Sequence, residues 1–253
     1  MGQAPDPDFV RQLRRQSLWL KESWLWLFEK KVLTGRKGKA RPKALDVGCG
    51  PGFVMDILKR SIDVHGIDVD QDMVSMCKAR GWDVVQGHAE ELPFEDKEFD
   101  IVYCSFLLLL VNDPLKVVKE MKRVSKRWVL ALAEPDYGAW IDFPEGLEGL
   151  RDIIVQGLRA NGSDPFMGRK LRSVFKGAGL DAEIGAHPGV WDLRQLKDEY
   201  EDQRRFIRSL AKAGADETDR DMIEKSWKMA LDNGHLFHYN PIFYAIGLKR
   251  RVP

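Results

Sequence analysis

The chain has 253 residues, 40 Lys+Arg against 39 Asp+Glu for a formal net charge of +1, 44% hydrophobic residues and 31% charged residues. This mixture excludes a disordered or fibrous polymer, and the charge balance argues against a nucleic-acid backbone as main partner, which usually calls for a basic excess. Cys49, Cys77 and Cys104 are an odd set without zinc-type spacing, so no disulfide framework and no metal site are expected, and a reducing cytoplasm is the simplest compartment. The longest apolar runs, Phe106 to Val111 and Trp128 to Ala133, are too short to cross a bilayer.

The first predicted element is a helix over Asp8 to Leu33. Leu13, Ser17, Leu20, Trp24, Leu27 and Lys31 share one face by i+3/i+4 spacing, while Leu18, Trp19, Leu25 and Trp26 lie off it. A helix this apolar touches more than one neighbour, as a core helix, a lid or a homodimer contact. A basic linker, Thr34 to Lys43, ends it. Strands are then predicted at Ala44–Val47, Val64–Ile67, Asp83–Val85, Asp100–Cys104 and Trp128–Ala133. Helices alternate with them at Phe53–Lys59, Gln71–Arg80 and Asp113–Lys126. Past Pro135 the rhythm loosens to helices at Leu147–Leu158 and Arg169–Ala178 and strands at Leu180–Ala186 and Ile242–Leu248. The expected fold is α/β, a doubly wound, mostly parallel seven-stranded sheet with helices on both faces plus a helical cap. Residues 1–43 form the N-terminal helix and linker, residues 44–190 with 240–253 the sheet domain, and residues 191–239 a helical insert over the substrate site.

The segment ALDVGCGPGF, Ala44 to Phe53, carries the most chemistry. A strand ends in Asp46, then Gly48, Gly50 and Gly52 lead into a helix. Glycines let the backbone turn tightly and approach a ligand closely. The spacing is G-x-G-x-G, one residue short of a dinucleotide fingerprint. A carboxylate at the strand end repels phosphate and attracts an amine, so Asp46 points to a ligand with a cationic amino group. Asp68, 22 residues later at the end of the second strand, suits the two hydroxyls of a ribose.

With GIDVD (Gly66 to Asp70), Gly87-His88-Ala89, Leu92-Pro93-Phe94, Phe99-Asp100-Ile101-Val102 and EPDYG (Glu134 to Gly138), the chain resembles the class I S-adenosylmethionine-dependent methyltransferases, in their small-molecule, ubiquinone- and sterol-type group. The resemblance implies S-adenosyl-L-methionine as cofactor. It implies that Asp46, Gly48, Cys49 and Gly50 face its methionyl part, Asp68 its ribose and Val69, His88 and Ala89 its adenine, and that Cys104 offers a carbonyl to its amine. His88 stands where many relatives have Asp; a neutral imidazole either accepts the same hydrogen bond through one ring nitrogen or merely stacks.

Methyl transfer from a sulfonium is an in-line displacement that chiefly needs alignment and exclusion of water. A general base is required only when the acceptor must lose a proton early. The candidates are Tyr137, His235 and His238, the two histidines sharing a face if that stretch is helical. Phe206, Leu210, Trp227, Leu231 and Phe237 of the insert are expected to line an apolar pocket. Trp19, Trp24, Trp26, Trp191 and Trp227 offer the aromatic surroundings a sulfonium favours. The expected activity is methyl transfer to a small, partly apolar molecule, with no membrane span and no strong nucleic-acid signal. The competing readings are an RNA or protein methyltransferase and a catalytically inactive cofactor-binding partner subunit.

Overall fold

The computed structural model describes residues 7–36, 40–211 and 217–249, with backbone only for 210, 211 and 217–220. Lys37 and Lys39 of the basic linker and the side chain of Leu210 lie outside the described residues. Helix α1 (Pro7–Leu27) buries Ser17, Leu20, Trp24 and Leu27, then widens into a π-type turn over Phe28–Val32 that buries Phe28 and Val32. The wider turn rotates the buried face. Lys31, expected on that face, therefore reaches outward to Glu183 at 3.0 Å.

Strands and helices then alternate: β1 (Lys43–Val47), α2 (Phe53–Leu58), β2 (Asp63–Asp68), α3 (Gln71–Ala79), β3 (Val84–Gln86), β4 (Phe99–Cys104), α4 (Pro114–Val124) and β5 (Ser125–Pro135). Asp70 caps α3 by accepting the Asp72 N–H at 2.8 Å, and Asp113 caps α4 through the Lys116 N–H at 2.9 Å, with Pro114 in the first turn. The remaining elements are β6 (Ile141–Phe143), α5 (Glu148–Ala160), α6 (Met167–Gly177), β7 (Asp181–Ala186), α7 (Leu193–Ala211), α8 (Glu217–Asp232), β8 (Phe237–Tyr239) and β9 (Ile242–Leu248).

Seven strands form one sheet in the order β3-β2-β1-β4-β5-β9-β7, parallel through β5, with β9 antiparallel to both neighbours. Asp46 stands beside Gly66 on one side and Tyr103 on the other, so β1, β2 and β4 end together at one edge. That edge is where an open α/β sheet binds its ligands. One apolar core lies between the sheet and α1–α3, including Trp24, Phe28, Met55 and Tyr103. The other lies under α4 and α6, including Val118, Met121, Leu171 and Phe175.

The cap is a third core. It joins Tyr137, Trp140, Ile154 and Leu158 to Trp191, Leu196, Ile207, Trp227 and Leu231. It thus draws on residues before 191 as well as on the 191–239 segment. It is built from two chain excursions, each closed at its root by a backbone hydrogen bond. The Tyr137 N–H donates to Pro165 O at 2.9 Å, and the His187 N–H donates to Ile242 O at 2.8 Å. Strands β6 and β8 pair across the two excursions. Neither strand was predicted: each has only three residues and lies outside the strand–helix alternation that marks β3. No described helix is long and apolar enough to cross a membrane.

Candidate functional site

A cavity of about 460 Å³ opens at the carboxyl ends of β1, β2 and β4 and is roofed by α1. Asp46, Gly48, Cys49, Gly50, Asp68, Val69, His88 and Ala89 all line it. The loop between β1 and α2 needs its glycines: φ is 71° at Gly48, 51° at Gly50 and 80° at Gly52, a region costly for other L-residues. At Gly48 a Cβ would also lie 2.8 Å from Leu107 Cδ1.

Asp68 fastens this loop. Its Oδ2 accepts the Gly50 N–H at 2.7 Å and its Oδ1 the Asp70 N–H at 2.9 Å. Burial raises its pKa above the ordinary aspartate value, against the pull of these bonds. Asp46 is 1% exposed, and its Oδ2 has no hydrogen-bond partner. Burial pushes this carboxyl well above its usual range. The Tyr103 hydroxyl lies beside it, also without a hydrogen bond of ordinary geometry. A buried carboxyl oxygen left without a partner is costly, and a cationic group entering the cavity would relieve that cost. Val69 and His88 are exposed at the rim.

Cys104 is a correction. It is fully buried, faces the core under α4 and α6, and is not part of the cavity wall. Ser105, Phe106 and Leu107 take its place. Phe106 adopts φ 54°, rare for a non-glycine residue, with its N–H held by Ala133 O at 2.8 Å. Glu134 sustains the following turn. Its Oε1 accepts the N–H groups of Leu107 and Leu108 at 3.1 and 2.9 Å, and its Oε2 that of Leu109 at 3.2 Å. Burial pushes this carboxyl up to about 8, opposed by the three N–H bonds. In the sequence Glu134 stands out only as the start of the EPDYG segment; its partners are in a turn that no motif announces.

The expected catalytic candidates do not meet at this cavity. Tyr137 is buried beside a separate space of about 20 Å³ between α1 and α7 that shares Gln16 with the main cavity. Burial, then the nearby Glu134 charge, raises its phenol pKa. His238 lies in β8 with its Nδ1 2.7 Å from Asp142 Oδ1, its Nε2 unpartnered, and the rings of Trp140 and Trp191 edge-on to it. His235 is exposed in the turn after α8. The stretch is a turn and a strand, so the two histidines do not share a helical face.

The insert corrects another expectation. Among the described residues, none of 191–239 is in the wall of the main cavity. Phe206 faces the small space, Trp227 and Leu231 fill the cap core, and Phe237 is exposed. Of the tryptophans proposed to surround a sulfonium, Trp24 alone reaches the cavity. Trp19 packs edge-on against Trp191 with centroids 4.6 Å apart, and Trp26 is exposed. Among the wall residues that sequence reasoning left out of the site are Phe9 and Gln16 of α1 and Ser105 and Asn112 after β4. Phe9, Leu13 and Gln16 follow helical spacing, a signal that was present.

The family model described as Methyltransferase domain (Methyltransf_11) matches residues 45–129. The chain is 37% identical over 109 residues to demethylmenaquinone methyltransferase of Staphylococcus aureus, covering 40% of this chain and 45% of that protein. It is 28% identical over 119 residues to the uncharacterized protein MJ1123 of Methanocaldococcus jannaschii, covering 47% and 56%. The chain thus spans about half the length of these relatives. In fold it is similar to a SAM-dependent methyltransferase from Archaeoglobus fulgidus, with TM-score 0.58 and 18% identity over 96% of this chain and all (100%) of the other. It is also similar to Haemonchus contortus phosphoethanolamine N-methyltransferase 2, crystallised with S-adenosylhomocysteine, with TM-score 0.54 and 17% identity over 91% and 57%. With the glycine loop, the strand-end carboxylates and the sheet order in place, residues 45–129 match a methyltransferase domain, on a fold similar to that of solved SAM-dependent methyltransferases.

Proposed function

We propose that this chain transfers the methyl group of S-adenosylmethionine to a small, partly apolar acceptor, with both held in the cavity under α1. The observation that carries this reading is the buried, unpartnered Asp46 Oδ2 beside three left-handed glycines. A cationic amine fits it, and a phosphate does not. Asp68, at the strand end, would hold the ribose, and Val69, His88 and Ala89 the adenine. Bound S-adenosylmethionine supplies a methyl group already activated by positive sulfur.

The chain's own residues position and shield. The loop Ser105–Leu107, propped by Glu134, forms one wall, and Phe9, Leu13 and Trp24 of α1 form the roof. Their apolar surfaces exclude water from the reacting centre. Among the described residues, the charged ones of the wall are Asp46, Asp68, Asp70 and Glu90, with His88, and none is Lys or Arg. This lining favours a small acceptor over the phosphate backbone of RNA. The domain division at residues 43, 190 and 240 and a homodimer through α1 belong to this proposal. Leu18 and Trp26 are the exposed apolar residues that such a contact would use. The three free cysteines fit a cytoplasmic setting.

Calorimetry with S-adenosylhomocysteine tests the reading. The parent protein should bind it, and Asp46→Asn should bind about tenfold more weakly or worse, the loss of one charged hydrogen bond. Equal affinities would remove Asp46 from the site.

A further inference from the structure

Cys49 and Cys77 come from different elements, yet their sulfurs converge on one atom. Cys49 Sγ donates to Gly50 O at 3.7 Å, and Cys77 Sγ, from α3, donates to the same oxygen at 3.1 Å. Sharing one acceptor oxygen at 3.7 and 3.1 Å keeps the two sulfurs within 6.8 Å of each other, the sum of those two distances. Two glycines make room for them: a Cβ at Gly66 would lie 2.9 Å from Cys49 Sγ, and one at Gly52 would lie 2.9 Å from Cys77 Sγ. Cys49 is part of the cavity wall, so a small oxidant entering the cavity meets the pair there. Cys77 is shut in behind it. Cys104, the one remaining cysteine of the sequence, is buried away from the cavity.

We propose that Cys49 and Cys77 are an oxidation site that closes to a disulfide beneath the glycine loop and releases the methyl donor; this rests on the cavity being the S-adenosylmethionine site. The oxidant is a hydroperoxide. Oxygen transfer to one thiol gives a sulfenic acid and leaves the alcohol, or water from hydrogen peroxide. The second sulfur then displaces the sulfenic hydroxyl, which departs with its proton as water. Two thiols and one hydrogen peroxide thus become one disulfide and two waters. Cys77 is suited to this. Its thiol is held below the ordinary range, first by the hydrogen bond from Cys49 and then by the Arg80 guanidinium.

The mechanical consequence follows from bond length. A disulfide holds its sulfurs about 2.05 Å apart, far closer than a hydrogen-bonded pair. Closing it draws Cys49 toward α3. The next residue, Gly50, is the one whose N–H binds Asp68 at 2.7 Å. The loop and the ribose-end carboxylate therefore lose their register together. A bound ligand covers Cys49 and should protect the pair, so oxidation acts on the empty enzyme.

The test treats the whole protein with hydrogen peroxide, with and without saturating S-adenosylhomocysteine, followed by peptide mass spectrometry and calorimetry. The expected product is a Cys49–Cys77 cross-link with a mass loss of about 2 Da. Affinity for S-adenosylhomocysteine should fall about tenfold or more, return with dithiothreitol, and be protected by prior ligand. Cys77→Ser, or Cys77→Ala if the serine folds poorly, should bind like the reduced parent and ignore peroxide. A treated protein without this cross-link, or a cross-linked protein with unchanged affinity, overturns the proposal. Reduced protein that does not bind S-adenosylhomocysteine overturns the donor-site reading instead, and the cross-link is still read by mass.

Discussion

The donor side of the molecule and its cap are assembled by different means. Between Lys43 and Pro135, the residues that shape the cavity sit at strand ends and in one glycine loop, so backbone geometry places them. In the cap, Trp140, Trp191 and His238 come from segments nearly a hundred residues apart and meet only through side-chain packing. A backbone-placed site tolerates change around it, whereas a packing-placed one answers to each neighbour. If that contrast holds, damage to the cap should cost stability and spare donor binding.

Trp191→Ala is the strongest way to break it. Trp191 is buried, edge-on to both Trp19 and His238. Its truncation should cost about 3–5 kcal/mol of stability. Calorimetry with S-adenosylhomocysteine should nevertheless give parent-like affinity in the folded protein. A large loss of affinity would mean that the two regions act as one.

Glu134 sits at their boundary and gives an intermediate effect. Its carboxyl titrates near 8 when folded, against 4.5 for the ordinary group. The folded state therefore binds the extra proton between those values, and stability falls as pH rises through that window, with a slope of up to about 1.4 kcal/mol per pH unit. Glu134→Gln cannot titrate, so its denaturation midpoint should vary less from about pH 5 to about pH 9 than the parent's. Parallel pH profiles would show that Glu134 does not carry the effect.

Arg15→Ala should produce the smallest change. Arg15 Nη1 meets Asp202 Oδ2 at 2.6 Å, and a second guanidinium nitrogen pairs with Glu199, tying α1 to α7. These side chains are only 14–19% exposed, so the pair is worth more than a surface one, about 1–2 kcal/mol. Backbone hydrogen exchange over residues 8–27 should quicken several-fold, with global stability lowered by no more than about 2 kcal/mol. No change in exchange would show that packing at Trp24 and Leu20, rather than this pair, holds the roof down.

The same contrast explains what could be read from the amino-acid order. The alternation of β-branched runs with amphipathic helices reveals the sheet, and the spacing from Asp46 to Ala89 reveals most of one cavity wall. Cys104 misleads because strand position alone does not tell a lining residue from its buried neighbour. His235 and His238 mislead because a three-residue strand, β8, interrupts what spacing treats as a helix. The roof residue Phe9 shows its face in the helical pattern. The contact of Asp142 with His238 spans 96 positions and leaves no local trace.

The two roots of the cap carry a consequence for exchange between proteins. Each excursion leaves and rejoins the sheet region at one backbone hydrogen bond, Tyr137 to Pro165 and His187 to Ile242. Either loop has a ready splice point. Yet β6 belongs to one excursion and β8 to the other, and Trp140 lies against His238 across them. A transplant of one loop alone would strand an edge strand and bare a tryptophan surface. The cap in such a scaffold should therefore be recombined as a matched pair of inserts, with the donor half left untouched.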